Sequence, residues 1–337
     1  TAKAKEPSFV KNFLQNHPSP VIKKIARARE INKAHSTFID SILKYAHKGR
    51  IHAEINQLRG DNGGTVTGRF SYNNPNLQQI PTRNKDLGPM IRSIFLPEEN
   101  HQWGCFDYNQ QEPRLVVHYA SRENLYKVKD VVQAYKEGTA DFHKIVADMA
   151  QIPREQAKTI NLGLFYGMGK GKLQAELGVS SDEAKELFTA YHKHVPFIKQ
   201  LMDVASNRAQ DDEGHIRTFL GRRCRFHLWE PTQFGIHKPL THKAALAEHG
   251  PGIKRAFTYK ALNKLIQGSA ADMTKKAMVD LYKEGIIAHI QIHDELDISV
   301  ENDIQAQKIV KIMESAVELD IPNKVDYKAA SNWGLIK

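Results

Sequence analysis

Cysteine is almost missing from this chain: only Cys105 and Cys224 occur among 337 residues. That excludes a disulfide framework and a cysteine-rich zinc site, and it fits a reducing compartment. Long apolar runs are missing too, since none approaches the ~20 residues of a membrane span. The opening TAKAKEPS lacks the apolar core of a signal peptide. A cytoplasmic protein with no membrane partner is the expectation, and a start at Thr1 rather than Met suggests a processed or truncated product. Acid is the scarce sign of charge: 38 Asp and Glu face 48 Lys and Arg, for a net charge of +10. A polyanionic partner follows, nucleic acid first, because neutralised phosphates release counterions. The length allows a large core and two or three subdomains.

What is present centres on Trp103 to Ala120, WGCFDYNQQEPRLVVHYA. Trp103, Cys105 and Phe106 form the short apolar run of a sheet interior, with Asp107 directly after them. Pro113 suits the first turn of a helix on which Leu115, Val116 and Tyr119 recur. A carboxylate ending a buried strand is costly to desolvate without a compensating cation or hydrogen bonds, so Asp107 is either a metal ligand or a helix N-cap. A second stretch, Ile286 to Val300, alternates about His293-Asp294 as a tight hairpin with Asp294 and Glu295 at its tip. Adjacent strand residues point to opposite faces, so one of these acids faces Asp107 while the other supports it or takes a second role. Carboxylates from distant sequence in a basic chain suit two divalent ions held ~3.5 to 4 Å apart for phosphoryl transfer. A hairpin turn capped by Asp is the alternative.

Taken in order, residues 1 to about 49 are Lys-rich and helical in pattern, broken at His17-Pro18-Ser19-Pro20. Their basic face meets either a duplex or water. Arg59 to Arg83 is crowded with Gly, Asn and Pro, a loop whose arginines and amides suit a nucleic-acid strand. Ile91 to Pro97 alternates as a strand, and Glu98-Glu99-Asn100 would turn it into the Asp107 strand, so a hairpin is expected to deliver the first carboxylate. Leu125 to His249 reads as helical. Within it, Arg154, Lys158, Leu162 and Tyr166 fall four apart and make one stripe ~18 Å long on a helix. Two cations followed by an apolar and an aromatic side chain match a nucleotide, triphosphate at one end and base at the other. Gly163 and Gly167 weaken that helix and suggest close approach by another backbone or a substrate. GMGKGK at Gly167 to Lys172 fails both the Walker and the dinucleotide spacing, and His192 with His194 lacks companions for zinc. GRRCR at Gly221 to Arg225 reads as a basic loop touching phosphate or an acidic side chain. Asn263 to Met278 reads as a helix with small residues at its middle, where Gln267 suits a minor groove.

These segments, in order, resemble the A family of DNA polymerases from about Pro18 onward. Asp107 to Arg114, DYNQQEPR, looks like the family's motif A, DYSQIELR; RxxxKxxxLxxYG at Arg154 to Gly167 looks like motif B; His293-Asp294-Glu295 looks like motif C. TGRFSxxxPNLQQIP at Thr67 to Pro81, Asp141-Phe142-His143, and QGSAAD at Gln267 to Asp272 also match. The resemblance implies an α+β right hand with an antiparallel palm sheet, helical fingers and a partial helical thumb. Thumb would occupy 1–49, palm 50–130 and 251–337, and fingers 131–250, with the motif B helix at 154–167. It implies two Mg²⁺ ions, replaceable by Mn²⁺, on Asp107, Asp294 and the Tyr108 carbonyl, with Glu295 assisting. Arg154, Lys158 and His143 would hold the triphosphate, Lys158 donating a proton to pyrophosphate. Leu162, Tyr166, Gln110 and Tyr108 would complete the nucleotide site, and Glu112 beneath Tyr166 would exclude a ribose 2′-hydroxyl. Arg69, Asn263, Gln267 and His293 would contact the primer terminus and minor groove, with Gln78 on the template side. Primer-template DNA and dNTPs are the implied partners.

Departures from the pattern carry expectations of their own. Leu162 replaces the usual motif B aromatic, so discrimination against dideoxynucleotides is expected, to be read from termination at equimolar dNTP. Asn109 and Pro113 replace Ser and Leu in motif A and would adjust the strand-to-helix turn; Tyr259 and Lys260 stand where the family often places Arg. Before His17 there is little room for a full thumb and none for a 3′-to-5′ exonuclease, and no D-x-E pair appears there. No proofreading by this chain is therefore expected, and a separate exonuclease or thumb polypeptide, or a processivity factor, is an expected partner. A single-subunit RNA polymerase is the rival enzyme, disfavoured by Glu112, and a non-catalytic DNA-binding remnant is the rival from another class.

Overall fold

A computed structural model describes residues 10–336, apart from 62, 83, 142, 145, 146, 149–151, 212, 234 and 236 and the side chains of 11, 12, 15, 155, 156, 159 and 162. Arg83, Phe142 and the Leu162 side chain, each part of an expected motif, therefore lie outside the described residues.

Four antiparallel strands form the central sheet in the order Ile290–Ile292, Glu295–Val300, Gln102–Tyr108, Val325–Ala330. Period-two alternation splits their side chains between two cores. Phe106 and Tyr108, with Leu296, Ile298 and Val300, pack beneath the helices Ala261–Lys283 and Asp303–Ser315. Trp103 and Cys105 face the other way, toward Ile91, Phe95 and Trp333. There the Trp103 and Trp333 rings stack at 5.8 Å and Phe95 meets Trp333 edge-on at 5.3 Å, geometries that aromatic quadrupoles favour.

A third core belongs to the helices. Leu115, Val116 and Val117 of helix Gln111–Arg122 join Ile160, Leu164 and Phe165 of helix Arg154–Phe165 and Phe197, Ile198 and Leu201 of helix Pro196–Gln210. Local chemistry sets the helix starts: Ser180 and Glu183 form a reciprocal capping box on Ser181–His194, and Pro196 opens the next helix at a position where its missing N–H goes unused. At the other end of the chain, helices Pro20–Ala34 and Asp40–Tyr45 join through a π-helical turn at His35–Ile39, and Ala34 and Ile42 are buried in the core around Trp333. Among the described residues no helix is long and apolar enough to cross a membrane.

Two expectations are corrected. Ile91 to Pro97 is not a strand: Leu87–Arg92 is a helix, followed by a turn and irregular chain. Ile91 and Phe95 are two steps of a period-two pattern but also four apart, and both are buried, whereas Ile94 and Leu96 are exposed. The Asp107 strand is thus the third of four in the sheet rather than the second arm of a local hairpin. The stretch to His249 is not helical throughout either, since His215–Arg217 pairs with Arg223–Arg225 and Leu228–Pro231 pairs with Leu240–Thr241 and Ile253–Arg255. The expected GRRCR loop is therefore largely a strand, and its Arg222 does reach an acid, Asp272, at 2.6 Å.

Candidate active site

Asp107 lies one residue before the end of its strand, and register decides its neighbours. Glu295 opposes it on one side and Asp326 on the other. Directly opposed residues of antiparallel strands project to the same face, so three acids line one edge of the sheet. Asp294 occupies the two-residue hairpin turn, with His293 in the left-handed region at φ 56°. The backbone N–H of Tyr108 donates to the Asp294 carbonyl at 3.2 Å and ties the turn to the central strand. The helix after Asp107 begins at Gln111 with Gln110 as its cap residue, so Asp107 is not an N-cap.

Electrostatics mark this edge as short of positive charge. Burial, then repulsion from Asp294 and Glu295, pushes Asp107 up to about 8, against an opposing pull from Lys158. Glu295 is likewise pushed up to about 8 by burial, with Asp297 adding to it and Arg92 opposing. Asp294 is held above the usual carboxylate range by burial, Glu112 adding and Arg69 and His293 opposing. Carboxylates that raise one another in this way are relieved by a bound cation. The donors are hard oxygens, which suit Mg²⁺ or Mn²⁺ and not a thiophilic ion; Asp107 and Asp294 would hold such ions, with Glu295 beside them.

The nucleotide residues are distributed more unevenly. Arg154 and Lys158 are both exposed on helix Arg154–Phe165. Arg154 is ion-paired, its Nε donating to Asp141 at 2.9 Å, while Asp141 also accepts from the backbone N–H groups of His143 and Lys144. Burial raises Asp141, but these bonds outweigh it and hold the carboxyl below its ordinary value. His143 is buried and does not share the exposed stripe; its Nδ1 faces Asn161 at 3.3 Å, and Tyr191 donates to Asn161 in turn. Tyr166 ends the helix and donates its hydroxyl to Glu112, whose other oxygen accepts from Arg69 at 2.5 Å. Glu112 is thereby fixed between a loop and a helix. Gln110, at φ 52°, accepts from the Tyr135 hydroxyl at 3.4 Å. The Tyr108 side chain points away from the acids and donates to the Met313 carbonyl at 2.7 Å.

The residues expected at DNA follow two patterns. Asn263 and Gln267 lie half-buried on the long helix Ala261–Lys283. Gln78 instead donates to the backbone of Gln291 at 3.2 Å, bracing the hairpin, and the His293 carbonyl accepts from the Gln291 side chain at 2.5 Å. The close approach expected at Gly163 is made by a side chain: a Cβ there would lie 2.0 Å from Met168 Cε. Sequence reasoning missed Asp297 and Arg92. Asp297 is wholly buried, accepts from Trp103 Nε1 at 3.0 Å and Cys105 Sγ at 2.7 Å, and is pushed up to about 6 by burial. Its signal was the same alternation that gave the hairpin, because Asp297 sits two residues from Glu295 on one strand face.

This α+β architecture, an antiparallel sheet with an acidic edge and a helix bearing Arg154 and Lys158, has a counterpart among polymerase domains. The POL domain of Pol1 from M. smegmatis, solved in complex with DNA primer-template and dNTP, superposes with a TM-score of 0.76 at 26% identity over 97% of this chain and 56% of that one. The chain belongs to DNA polymerase family A, whose model matches residues 2–335. It is 33% identical over 383 residues to a DNA-directed DNA polymerase of Pseudomonas phage M6, covering 98% of this chain and 54% of the relative. Against the thermostable DNA polymerase I of Thermus aquaticus it is 31% identical over 333 residues, covering 93% of this chain and 36% of the relative. The chain thus spans about a third to a half of the length of these relatives.

Proposed function

We propose that this chain is the DNA-directed DNA polymerase core of its protein, adding deoxynucleoside monophosphates from dNTPs to a primer 3′-hydroxyl and releasing pyrophosphate. The observation that carries this reading is the apposition of Asp107, Asp294 and Glu295, from two distant segments, on an acidic edge that Lys158 faces. Two divalent ions bound there would activate the 3′-hydroxyl and stabilise the leaving pyrophosphate. Asp107 and Asp294 would hold them, with Glu295 assisting and the Tyr108 carbonyl as a further ligand. Lys158 and Arg154 take the triphosphate, Arg154 exchanging Asp141 for phosphate oxygens, and Lys158 gives the proton that pyrophosphate needs. His143, expected to hold the triphosphate with them, is buried against Asn161 behind that helix and reaches phosphate only if the site rearranges around the nucleotide. Glu112, clamped by Arg69 and Tyr166, stands where a ribose 2′-hydroxyl would collide. At position 162 a leucine stands where the family has an aromatic residue, and Gln110 closes the nucleotide's edge. Asn263, Gln267 and His293 contact the primer terminus and minor groove, and Gln78 acts on the template side by bracing the hairpin.

The domain reading accompanies it: thumb at 1–49, palm at 50–130 and 251–337, fingers at 131–250. Primer extension with Mg²⁺ and dNTPs tests the whole reading. Asp107→Ala and Asp294→Ala should each lower extension at least ~10³-fold while leaving primer-template binding in place. Extension persisting in either variant, or a parent chain that binds DNA without extending it, would remove the assignment.

A further inference from the structure

The edge strand Ile290–Ile292 leads into the turn that carries Asp294, and among the described residues no strand pairs with its outer side. An open edge leaves backbone N–H and C=O groups without ladder partners. At Gln291, side chains take that place. Its N–H donates to the Tyr72 hydroxyl at 3.2 Å, and its C=O accepts from Gln78 Nε2 at 3.2 Å. The Gln291 side chain is buried and runs on toward the turn: Nε2 donates to the His293 carbonyl at 2.5 Å, and Oε1 accepts from Gln78 Nε2 at 3.3 Å. All the polar groups of this residue are thus engaged, by the turn on one side and by Tyr72 and Gln78 on the other.

Chemistry fixes the direction of each amide in this chain of contacts. A backbone carbonyl only accepts, so the His293 carbonyl requires the NH₂ end of the Gln291 amide. The Gln291 carbonyl likewise requires the NH₂ end of Gln78, and that same group then meets Gln291 Oε1. Gln78 is placed in turn by Asn76, whose side chain accepts from the Gln78 N–H at 3.1 Å and caps the short helix Leu77–Gln79. The recipient is a residue that needs support. His293 holds φ 56°, a conformation that a non-glycine residue keeps only where its surroundings determine it. Its carbonyl belongs to the peptide that links it to Asp294, so the bond from Gln291 also sets the direction in which Asp294 leaves the turn.

We propose that Gln291 is a positioning residue for Asp294: it joins the segment at Gln78 to the peptide between His293 and Asp294 and holds the turn in the geometry that ion binding needs. The proposal rests on the two-ion reading above. Gln291 acts through Asp294 and not on substrate, so its loss slows the chemical step and spares the affinities for dNTP and DNA. Gln78 acts through Gln291, because without it the far end of the Gln291 amide is unanchored. Tyr72 has a different part: it satisfies the strand backbone and does not reach the turn.

Single-turnover primer extension by the full chain at saturating dNTP and primer-template, with urea midpoints measured alongside, tests this. Gln291→Met keeps the volume and removes both amide bonds; it should slow the step about 30- to 100-fold while the apparent Kd for dNTP and for primer-template each change less than about threefold. Gln78→Met should slow the step less, and the double variant should be little slower than Gln291→Met, since both act through one bond. Tyr72→Phe should lower the urea midpoint yet keep the rate within about twofold of the parent. Equal slowing by Tyr72→Phe and Gln291→Met would make Gln291 a mere support of the edge strand and overturn the proposal. A parental rate in Gln291→Met, or losses in the double variant that multiply, would overturn it too. If Gln291→Met does not fold, Gln78→Met decides, and a parental rate there sinks the proposal. Asp294→Ala separates the two levels. Extension lost in it but kept in Gln291→Met removes the positioning role alone; extension kept in Asp294→Ala, or absent from the parent, removes the two-ion reading and this proposal with it.

Discussion

Asp107 is kept charged only at a cost to the fold. Its carboxyl is pushed up to about 8 by burial first and by Asp294 and Glu295 next, whereas an unfolded chain would release that proton near the ordinary value of about 3.9. Between those two values the folded state holds more protons than the unfolded one, so stability falls as pH rises through the window. Neutral Asn pays no such penalty. Without divalent ions, Asp107→Asn should be as stable as the parent near pH 4, and its advantage should grow until about pH 8 and then level off. Urea midpoints at pH 5 and pH 8.5 check this; an advantage equal at both values would show that repulsion at Asp107 is not what limits stability. Mg²⁺ at pH 8.5 should stabilise the parent and leave the Asn variant nearly unmoved, because the ion acts through the same charge.

At the scale of elements, the long helix Ala261–Lys283 is secured to the Arg223 hairpin region by one buried acid. Asp272 accepts from Arg222 Nε at 2.7 Å and from the Thr218 hydroxyl at 2.5 Å, and Arg222 lies over Gly268, where a Cβ would meet Thr218 at 3.1 Å. Asp272→Ala strips both donors of their partner and should cost about 3 kcal/mol in denaturant unfolding, in the range for breaking a buried pair. Glu98→Ala, which removes the exposed partner of Arg50, should change stability far less; comparable losses would sink the distinction. Elements with a strong period were legible from sequence: the hairpin about His293-Asp294, the Arg154 helix and the helix around Gln267 all form. Short strands at 215–255 were not, because two to four residues give too little alternation to be told from loop. Ile91 to Pro97 misled because a helix turn and a strand both repeat at four residues. Asp107 was legible because it follows an apolar run, and Asp294 and Glu295 because they sit at the turn of an alternating hairpin, whereas Arg92 acquires its place only when Trp333 is brought beneath it from the far end of the chain.

For the molecule as a whole, the excess of positive charge suits the duplex that the proposed function calls for. A cavity of about 1050 Å³ separates helix Pro20–Ala34 from the loop at Gln78 to Leu87, and Lys23, Arg27, Arg29 and Lys33 line its helical wall. Arg27 is partly neutralised, pairing with Glu30 and Asp86, so Lys23 and Lys33 are the better candidates for phosphate contact. Each phosphate neutralised releases counterions and adds about 0.9 to the slope of log affinity against log salt. Lys23→Ala with Lys33→Ala should therefore weaken primer-template binding at low salt and flatten that slope by about 1 to 2, uniformly across DNA sequences. Loss of affinity with an unchanged slope would mean that the lysines support the helix and not the duplex. An effect on single-turnover rate at saturating DNA would place them nearer the chemistry than this wall allows.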